Sequence, residues 1–417
     1  MPRVPQVVAF FVLVAAPAVL QAQGQPQGPE FRVNTYTTNG QLGSSIASDA
    51  AGNFVIVWTS YTQDGSSGGI FGQRYASGGA PLGAEFRVNT YTTSLQAGSL
   101  VASDDAGNFV VVWHGFQNDD FDIYAQRFDA AGAPLGGQFR VNSYTTGSQF
   151  VGSVASDPAG SVVVAWRSQG QDGSGYGVFA QRYASTGEPL GGEFQVNSFT
   201  NHDQIPTSVA TDALGNFVIA WYGPRSTAAG RDVFARRYAS SGTPLGGQFR
   251  VNTFTTNDQY DPAIASDAAG DFVIVWTSQL QDGSQGGIFG QRYDSSGAPL
   301  DAEFRVNTGT AFNQNGPAVA SDRDGNFVVA WMGETAYLDI HAQRYASSGV
   351  PLGEPWRVNT FTPKNQIYPV LQTDSAGNFV VTWTSAGAPG QDGNGPGIFA
   401  QRYNLIAPSG PQEPGPE

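Results

Sequence analysis

Asp119, Asp120 and Glu334 are carboxylates that stand outside the regular pattern of this 417-residue chain. Two carboxylates flanking a glycosidic bond are the machinery of a carbohydrate-active hydrolase, one acting as general acid and the other as base or nucleophile. Around them fall His114, Phe116, Tyr222, Arg225, Arg231 and Tyr337, aromatic platforms beside polar tips, which suit recognition of a saccharide or a protein. Asp122, Asp232 and Asp339, each just before a predicted strand, complete the candidate ligand-binding set. No spacing along the chain fixes how far apart the carboxylates lie, so no catalytic residue is assigned. Gly65-Ser66-Ser67-Gly68-Gly69 satisfies G-x-S-x-G, but that motif needs a strand-to-helix elbow, and here it sits in a glycine-rich hairpin loop.

Metal chemistry has little to build on. His114, His202 and His341 lack metal-ligand spacing. Asp64, Asp172, Asp282 and Asp392 stand in Gln-Asp-Gly-Ser or Gln-Asp-Gly-Asn loops, each offering one carboxylate where calcium takes six to eight oxygens. Ordinary turn chemistry is the expectation there, with calcium between adjacent loops as the alternative.

The elements that position these residues repeat. The aromatic of an EFRVN-like segment recurs at Phe31, Phe86, Phe139, Phe194, Phe249, Phe304 and Trp356, with spacings of 55, 53, 55, 55, 55 and 52 residues. Each unit carries four strand-like runs, in the first SSIASD, NFVIVW, GIFGQRY and AEFRVN, rich in β-branched and aromatic residues. The 54 glycines concentrate in the joints, and no stretch shows a helical apolar period, so the chain reads as all-β. In SDAAGN, Asp49 and Gly52 take the first and fourth positions of a type I turn. Four short strands per unit of about 55 residues, seven times over, predict a seven-bladed β-propeller of four-stranded antiparallel blades. The lone fourth strand at 30–34 completes the last blade, which ends at Tyr403 without one, and this closure hides two strand edges.

The combination of GNFVVVW, GIFAQRY and G-x-PLG-x-EFRVNT resembles a repeat of secreted and large surface proteins of bacteria, described as adhesin-like, over residues 30–404. That resemblance implies a propeller fold and a binding or adhesion scaffold that engages a protein or polymer. Two better-known propeller families fit poorly: Trp58 is followed by Thr59 rather than completing a Trp-Asp pair, and Asp49 to Trp58 misses the sialidase Asp-box spacing.

In a meander blade the joints after strands one and three share one face, and those after strands two and four share the other. The first set is uniform along this chain and the second is variable, so the variable face is the expected working face. Its loops alternate: blades one, three, five and seven carry the Gln-Asp-Gly loops, while blades two, four and six carry most of the distinctive side chains, as if descended from a two-blade unit. Three functions follow as alternatives, a protein- or polymer-binding scaffold, a glycan-binding lectin, and a hydrolase using Asp119, Asp120 and Glu334.

Three recurring features carry structural expectations. Arg74, Arg127, Arg182, Arg237, Arg292, Arg344 and Arg402 recur in the third strand, and Asp49, Asp104, Asp157, Asp212, Asp267, Asp322 and Asp374 at the end of the first; ion pairs between them are expected. The small residue before each Gln-Arg pair, Gly72 in the first copy, suggests close sheet-to-sheet approach. Gln41, Gln96, Gln149, Gln204, Gln259, Gln314 and Gln366 are expected to circle the channel mouth and hydrogen-bond the incoming loop.

The formal charge is −14, which disfavours nucleic acid and anionic lipid as partners. Arg3, the apolar run Val7 to Leu20 and Leu20-Gln21-Ala22 read as a signal peptide over 1–22, too short an apolar run to span a bilayer. Residues 23–29 then form a short linker, and 405–417 a disordered Pro-rich tail. Secretion, extracellular or periplasmic, and a monomeric state are expected, with no cysteine to support disulfides.

Overall fold

The computed structural model describes residues 24–117, 119–224, 230–334, 336–387 and 391–404; the expected leader and tail lie outside them. Every regular element among the described residues is a β-strand. The strands form seven antiparallel sheets, and the inner strand of each sheet contacts those of its neighbours, the seventh touching the first. The molecule is a seven-bladed β-propeller.

Blade one shows the plan: an inner strand Gln41–Ser48, then Phe54–Ser60, Gly69–Tyr75 and a short outer strand Phe86–Arg87. The second strand has no polar alternation because both faces are covered, and all of its residues are buried. At its centre Trp58 is fully buried, as are Trp113, Trp166, Trp221, Trp276 and Trp383 in their blades. Each core cluster draws on two adjacent blades. Phe54, Trp58 and Tyr75 of blade one pack with Ile398 and Ala400 of blade seven, and the Phe54 and Tyr75 rings stack at 4.9 Å. Apolar burial at about 25 cal/mol per Å² therefore stabilises the contacts between blades as well as each sheet.

Closure begins earlier than the sequence suggests. Phe31–Arg32 pairs with the last strand, as expected, but so does Gln25–Pro26, opposite Asn404 and Tyr403. Gln25–Pro26, within the expected linker, is thus a strand of the last blade. Pro26 reproduces the bridge that Pro81 makes to Tyr75 in blade one, and the Gln27 amide donates to the Arg402 carbonyl at 2.8 Å, as the Leu82 amide does to Arg74.

The Arg–Asp pairs are replaced by a different arrangement. Asp49 is spent on its own turn: Oδ1 accepts from the Ala51 and Asn53 amides at 2.9 and 2.8 Å, and Oδ2 from Asn53 Nδ2 at 2.8 Å. The arginines reach across to the following blade instead. Arg74 donates to the Ala131 carbonyl, Arg127 to Ser185 and Thr186, Arg182 to Ser241, Arg237 to Ser295 and Ser296, and Arg292 to Ser347 and Ser348. Arg402 closes the circle onto Ser77 and Gly78 of blade one. Arg344 is buried and does interact electrostatically with Asp322. The physical reason is reach: a long guanidinium at the sheet's uniform-face end finds unpaired turn carbonyls next door, whereas the short carboxylate is already saturated locally. Gly79 shows what this costs the neighbour, since its φ is +85° and a Cβ there would stand 2.8 Å from Arg402 Nη1 of the preceding blade.

Two other expectations are corrected. The small residue in the third strand answers crowding within its own sheet, because a Cβ on Gly72 would meet the Phe86 ring at 2.9 Å and Val57 at 3.3 Å. The repeated glutamines, which stand at the start of the inner strands, are buried rather than exposed. They do bond the incoming loop, as Gln41 Nε2 to the Thr38 carbonyl at 3.3 Å, and Gln96, Gln314 and Gln366 also accept from Trp113, Trp331 and Trp383 at 3.1, 2.9 and 2.9 Å.

Candidate functional site

The two faces of the disc spend their polar groups differently. On the uniform face a cavity of about 310 Å³ opens at the channel, lined by Ser48, Ser103, Ser156, Thr211, Ser321 and the turn aspartates. Its hydroxyls are largely committed: Ser103 donates to the Ser48 carbonyl at 2.7 Å, Ser48 to Thr373 at 3.0 Å, and Thr211 to Ser156 at 2.8 Å. Arg323 of blade six pairs with Asp105 of blade two across the opening.

On the variable face, both loop types hold one structural asparagine. In even blades Asp122, Asp232 and Asp339 are buried and accept from Asn142, Asn252 and Asn359 at 2.7, 2.8 and 2.7 Å. In odd blades Asp64, Asp172 and Asp282 accept from Asn89, Asn197 and Asn307 at 3.4, 3.3 and 3.3 Å, and also cap their own loops. Each asparagine in turn accepts from the third strand, Asn89 from the Ile70 amide at 2.7 Å. The odd loops are tied down further, Gln63 to Glu85, Gln171 to Glu193, Gln281 to Glu303 and Gln391 to Glu30. Even blades two and four have Gln138 and Gln248 at the matching outer-strand position. The alternation visible in sequence is therefore a coupled pair of residues, and the three even-blade aspartates serve the frame.

The remaining candidates fall into two groups. Glu334 and Tyr337 are exposed in blade six, with blades seven and one between them and Asp119 and Asp120 in blade two. Asp119 is exposed with φ +72° in a tight hairpin, and Asp120 accepts from Ser148 at 3.2 Å. Arg225 lies outside the described residues.

The second group is contiguous and spans blades two to five. Its organising position follows the buried tryptophan of the second strand: Thr59, His114, Arg167, Tyr222, Thr277, Met332 and Thr384. His114 packs edge-on against Phe121 and Phe150 at 5.5 and 5.2 Å, and Phe116 against Phe121 at 5.2 Å. The Arg167 guanidinium lies 4.7 Å from the Phe150 ring centre and 5.0 Å from that of Tyr176. Tyr222 meets Tyr260 at 6.5 Å and Arg231 at 5.7 Å.

Electrostatics link these groups. Burial, aided by the Arg167 charge, lowers the His114 pKa to about 4, so the ring is neutral at neutral pH, and its Nδ1 has no hydrogen-bond partner among the described residues. Burial raises Asp261 against the pull of Arg231. Burial and Asp261 raise Tyr222, opposed by Arg231 and Arg167. Asp261 also occupies a left-handed bulge, φ +52°, where blades one, two and six use Gly43, Gly98 and Gly316. Blade seven holds Tyr368 at the same bulge with φ +57°, so the position tolerates a side chain without being reserved to this sector.

Sequence reasoning found His114, Phe116, Tyr222 and Arg231 but missed Phe121, Phe150, Arg167, Tyr176, Tyr260 and Asp261. The available signal was departure from the repeat's own consensus within strands, at the position where threonine is the usual residue.

No protein-family model matches the chain, and no curated protein matches it. Solved structures share its fold at low identity. A protein of unknown function from Dyadobacter fermentans is 9% identical over 91% of this chain and 98% of its own, with a TM-score of 0.55. A polysaccharide lyase, the PL25 ulvan lyase, is 10% identical over 90% and 96%, TM-score 0.52. The β-propeller domain of the Trilobed protease from Pyrococcus furiosus is 8% identical over 89% and 97%, TM-score 0.51. At such identities the likeness concerns the fold alone.

Proposed function

We propose that the protein is a secreted or cell-surface binding module that engages a protein or polymer through its variable-loop face. The observation that carries this reading is the sector of blades two to five, where His114, Arg167 and Tyr222 replace residues with framework duties. In blades one, five, six and seven the same position supports the next blade, as Thr59 Oγ1 accepts from the Gly98 amide at 3.2 Å. Function gathers where a constant scaffold carries changeable groups. The apolar run after Arg3 supports export.

A lectin is the second reading, favoured by the tyrosine pair Tyr222 and Tyr260 beside Arg231 and Asp261, aromatic faces next to donors and acceptors. The hydrolase alternative is weakened by the separation of Glu334 from Asp119 and Asp120 onto blades that are not neighbours, since a catalytic carboxyl pair works across about 5–9.5 Å.

The test is binding to immobilised polysaccharides and culture-medium proteins, comparing the intact chain with a triple variant bearing the consensus threonine, His114→Thr, Arg167→Thr and Tyr222→Thr. Loss of binding by a variant that remains folded is expected, with some lowering of the melting temperature from the space left by His114 and Tyr222. Undiminished binding by the folded variant overturns the assignment of the face.

A further inference from the structure

We propose that Arg167 is the anchor of a subsite for the carboxylate of an acidic sugar unit, held by a bidentate guanidinium contact; the inference rests on the variable face being the binding face. Four of the seven residues at this repeated position are occupied by the frame. Thr59, Thr277 and Thr384 accept from the amides of Gly98, Gly316 and Gly43 at 3.2, 3.2 and 3.3 Å, and Met332 Sδ accepts from the Tyr368 amide at 3.3 Å. His114, Arg167 and Tyr222 make no such bond among the described residues.

Arg167 is the informative member. The chain carries 34 acidic side chains against 20 basic ones, yet among the described residues no carboxylate lies within ion-pair distance of this guanidinium and no acceptor hydrogen-bonds it. What holds it is cation–π contact, Phe150 at 4.7 Å and Tyr176 at 5.0 Å from the guanidinium carbon. Neither ring satisfies its fork of N–H donors in the way a planar acceptor of matching geometry would. Two more polar groups of neighbouring blades lack a hydrogen-bond partner among the described residues and feel its charge: the Tyr222 hydroxyl and buried His114 Nδ1.

The surroundings favour a saccharide over a peptide as the carrier. Tyr222 and Tyr260 are half-buried rings on the two following blades that suit contact with pyranose C–H groups, and Asp261 beside them is an acceptor for hydroxyls. A net charge of −14 works against polyanions with more than one charge per unit, so the fitting ligand carries one carboxylate per sugar at most and no sulfate or phosphate cluster.

The experiment uses the full mature chain and matched probes: oligogalacturonate, oligoglucuronate and mixed oligomannuronate–oligoguluronate, the methyl ester of each, and oligoglutamate, measured by calorimetry at low and moderate salt. Expected is binding of at least one acid form, at least tenfold weaker for its ester and for oligoglutamate. Arg167→Ala should lower that affinity tenfold or more, Arg167→Lys should restore only part of it because an ammonium lacks the fork, and Tyr222→Phe should have a smaller effect, all with unchanged melting temperature. Equal binding of acid and ester, wild-type affinity in Arg167→Ala, preference for oligoglutamate, or no binding of any uronate at millimolar concentration overturns the subsite. Retained binding of a neutral polysaccharide that the triple threonine variant loses would leave the face assignment standing while the carboxylate subsite fails.

Discussion

Arg402 Nη1, in the third strand of the seventh blade, donates to the carbonyl of Gly78 in the first at 2.6 Å. The same bond type joins blades one to two, two to three, three to four, four to five and five to six. Stability of the ring therefore depends on charge-assisted bonds that cross between units, while the aspartates nearby keep their own turns.

Arg182→Ala tests this directly. It should cost roughly 1–3 kcal/mol by leaving the Ser241 carbonyl without its charged donor, measured by denaturant unfolding. Asp157 keeps the amides of Ala159 and Ser161 at 3.0 and 2.8 Å, so hydrogen exchange at those two amides should be unchanged short of global unfolding. Selective loss of their protection would show that the carboxylate does depend on the arginine.

Blade five breaks the turn's own rule. Where blades one, two, four, six and seven place asparagine after the turn glycine, this blade has Asp271, and Asp267 loses the Nδ2 donor that Asp49 receives from Asn53. Burial and the Asp271 charge raise the pKa of Asp267. A carboxyl whose folded pKa is raised contributes stability that is complete below its unfolded pKa and is lost as pH rises through the folded value. Asp271→Asn should accordingly stabilise the protein at neutral pH, on the order of 1 kcal/mol for one regained hydrogen bond, with a smaller gain under acid conditions. A lower melting temperature at pH 7 contradicts this.

His114 has the opposite slope. Its folded pKa of about 4 lies below the ordinary 6.5, so the unfolded chain binds the extra proton and stability is lost as pH falls from about 6.5 towards 4. Arg167 is the charge facing it, and Phe121 and Phe150 supply the apolar walls. Replacing it by phenylalanine should flatten the unfolding free energy over that interval by roughly 2 kcal/mol, seen in denaturant titrations at pH 4.5, 5.5 and 7. An unaltered slope would place the neutral imidazole elsewhere.

Removing residues 24–34 should lower the melting temperature more than Phe86→Ala does, because the deletion strips the outer strand from blade seven and the Phe31 ring from Tyr75, 5.5 Å away. Phe86→Ala removes one ring from an intact sheet and should cost about 3–5 kcal/mol at most. Equal or smaller loss on deletion means the ring does not need its noncovalent closure.

Much of the architecture is legible in the chain because a 55-residue period, turn chemistry at fixed offsets and uninterrupted apolar second strands all imply the same blade. Gln25-Pro26-Gln27-Gly28 aligns with Ala80-Pro81-Leu82-Gly83, but glutamines in place of Ala80 and Leu82 hide a strand of two residues. Arg74 and Asp49 look like partners because sequence places both at one end of one blade, and only three dimensions show the arginine reaching Ala131. Loop variability drew notice to Asp122, Asp232 and Asp339, whose regular spacing before a strand is what framework residues show. Arg167 and Tyr260 went unread since they lie inside strands, where an unusual residue is easily taken for ordinary variation.

The noncovalent closure within blade seven sits across the disc from blades three and four, which carry Arg167 and Tyr222. Tension pulling on a ligand gripped there would divide into two arcs and travel through several covalently connected sheets before reaching the one junction able to unzip. Load applied to that sector would therefore reach the clasp last.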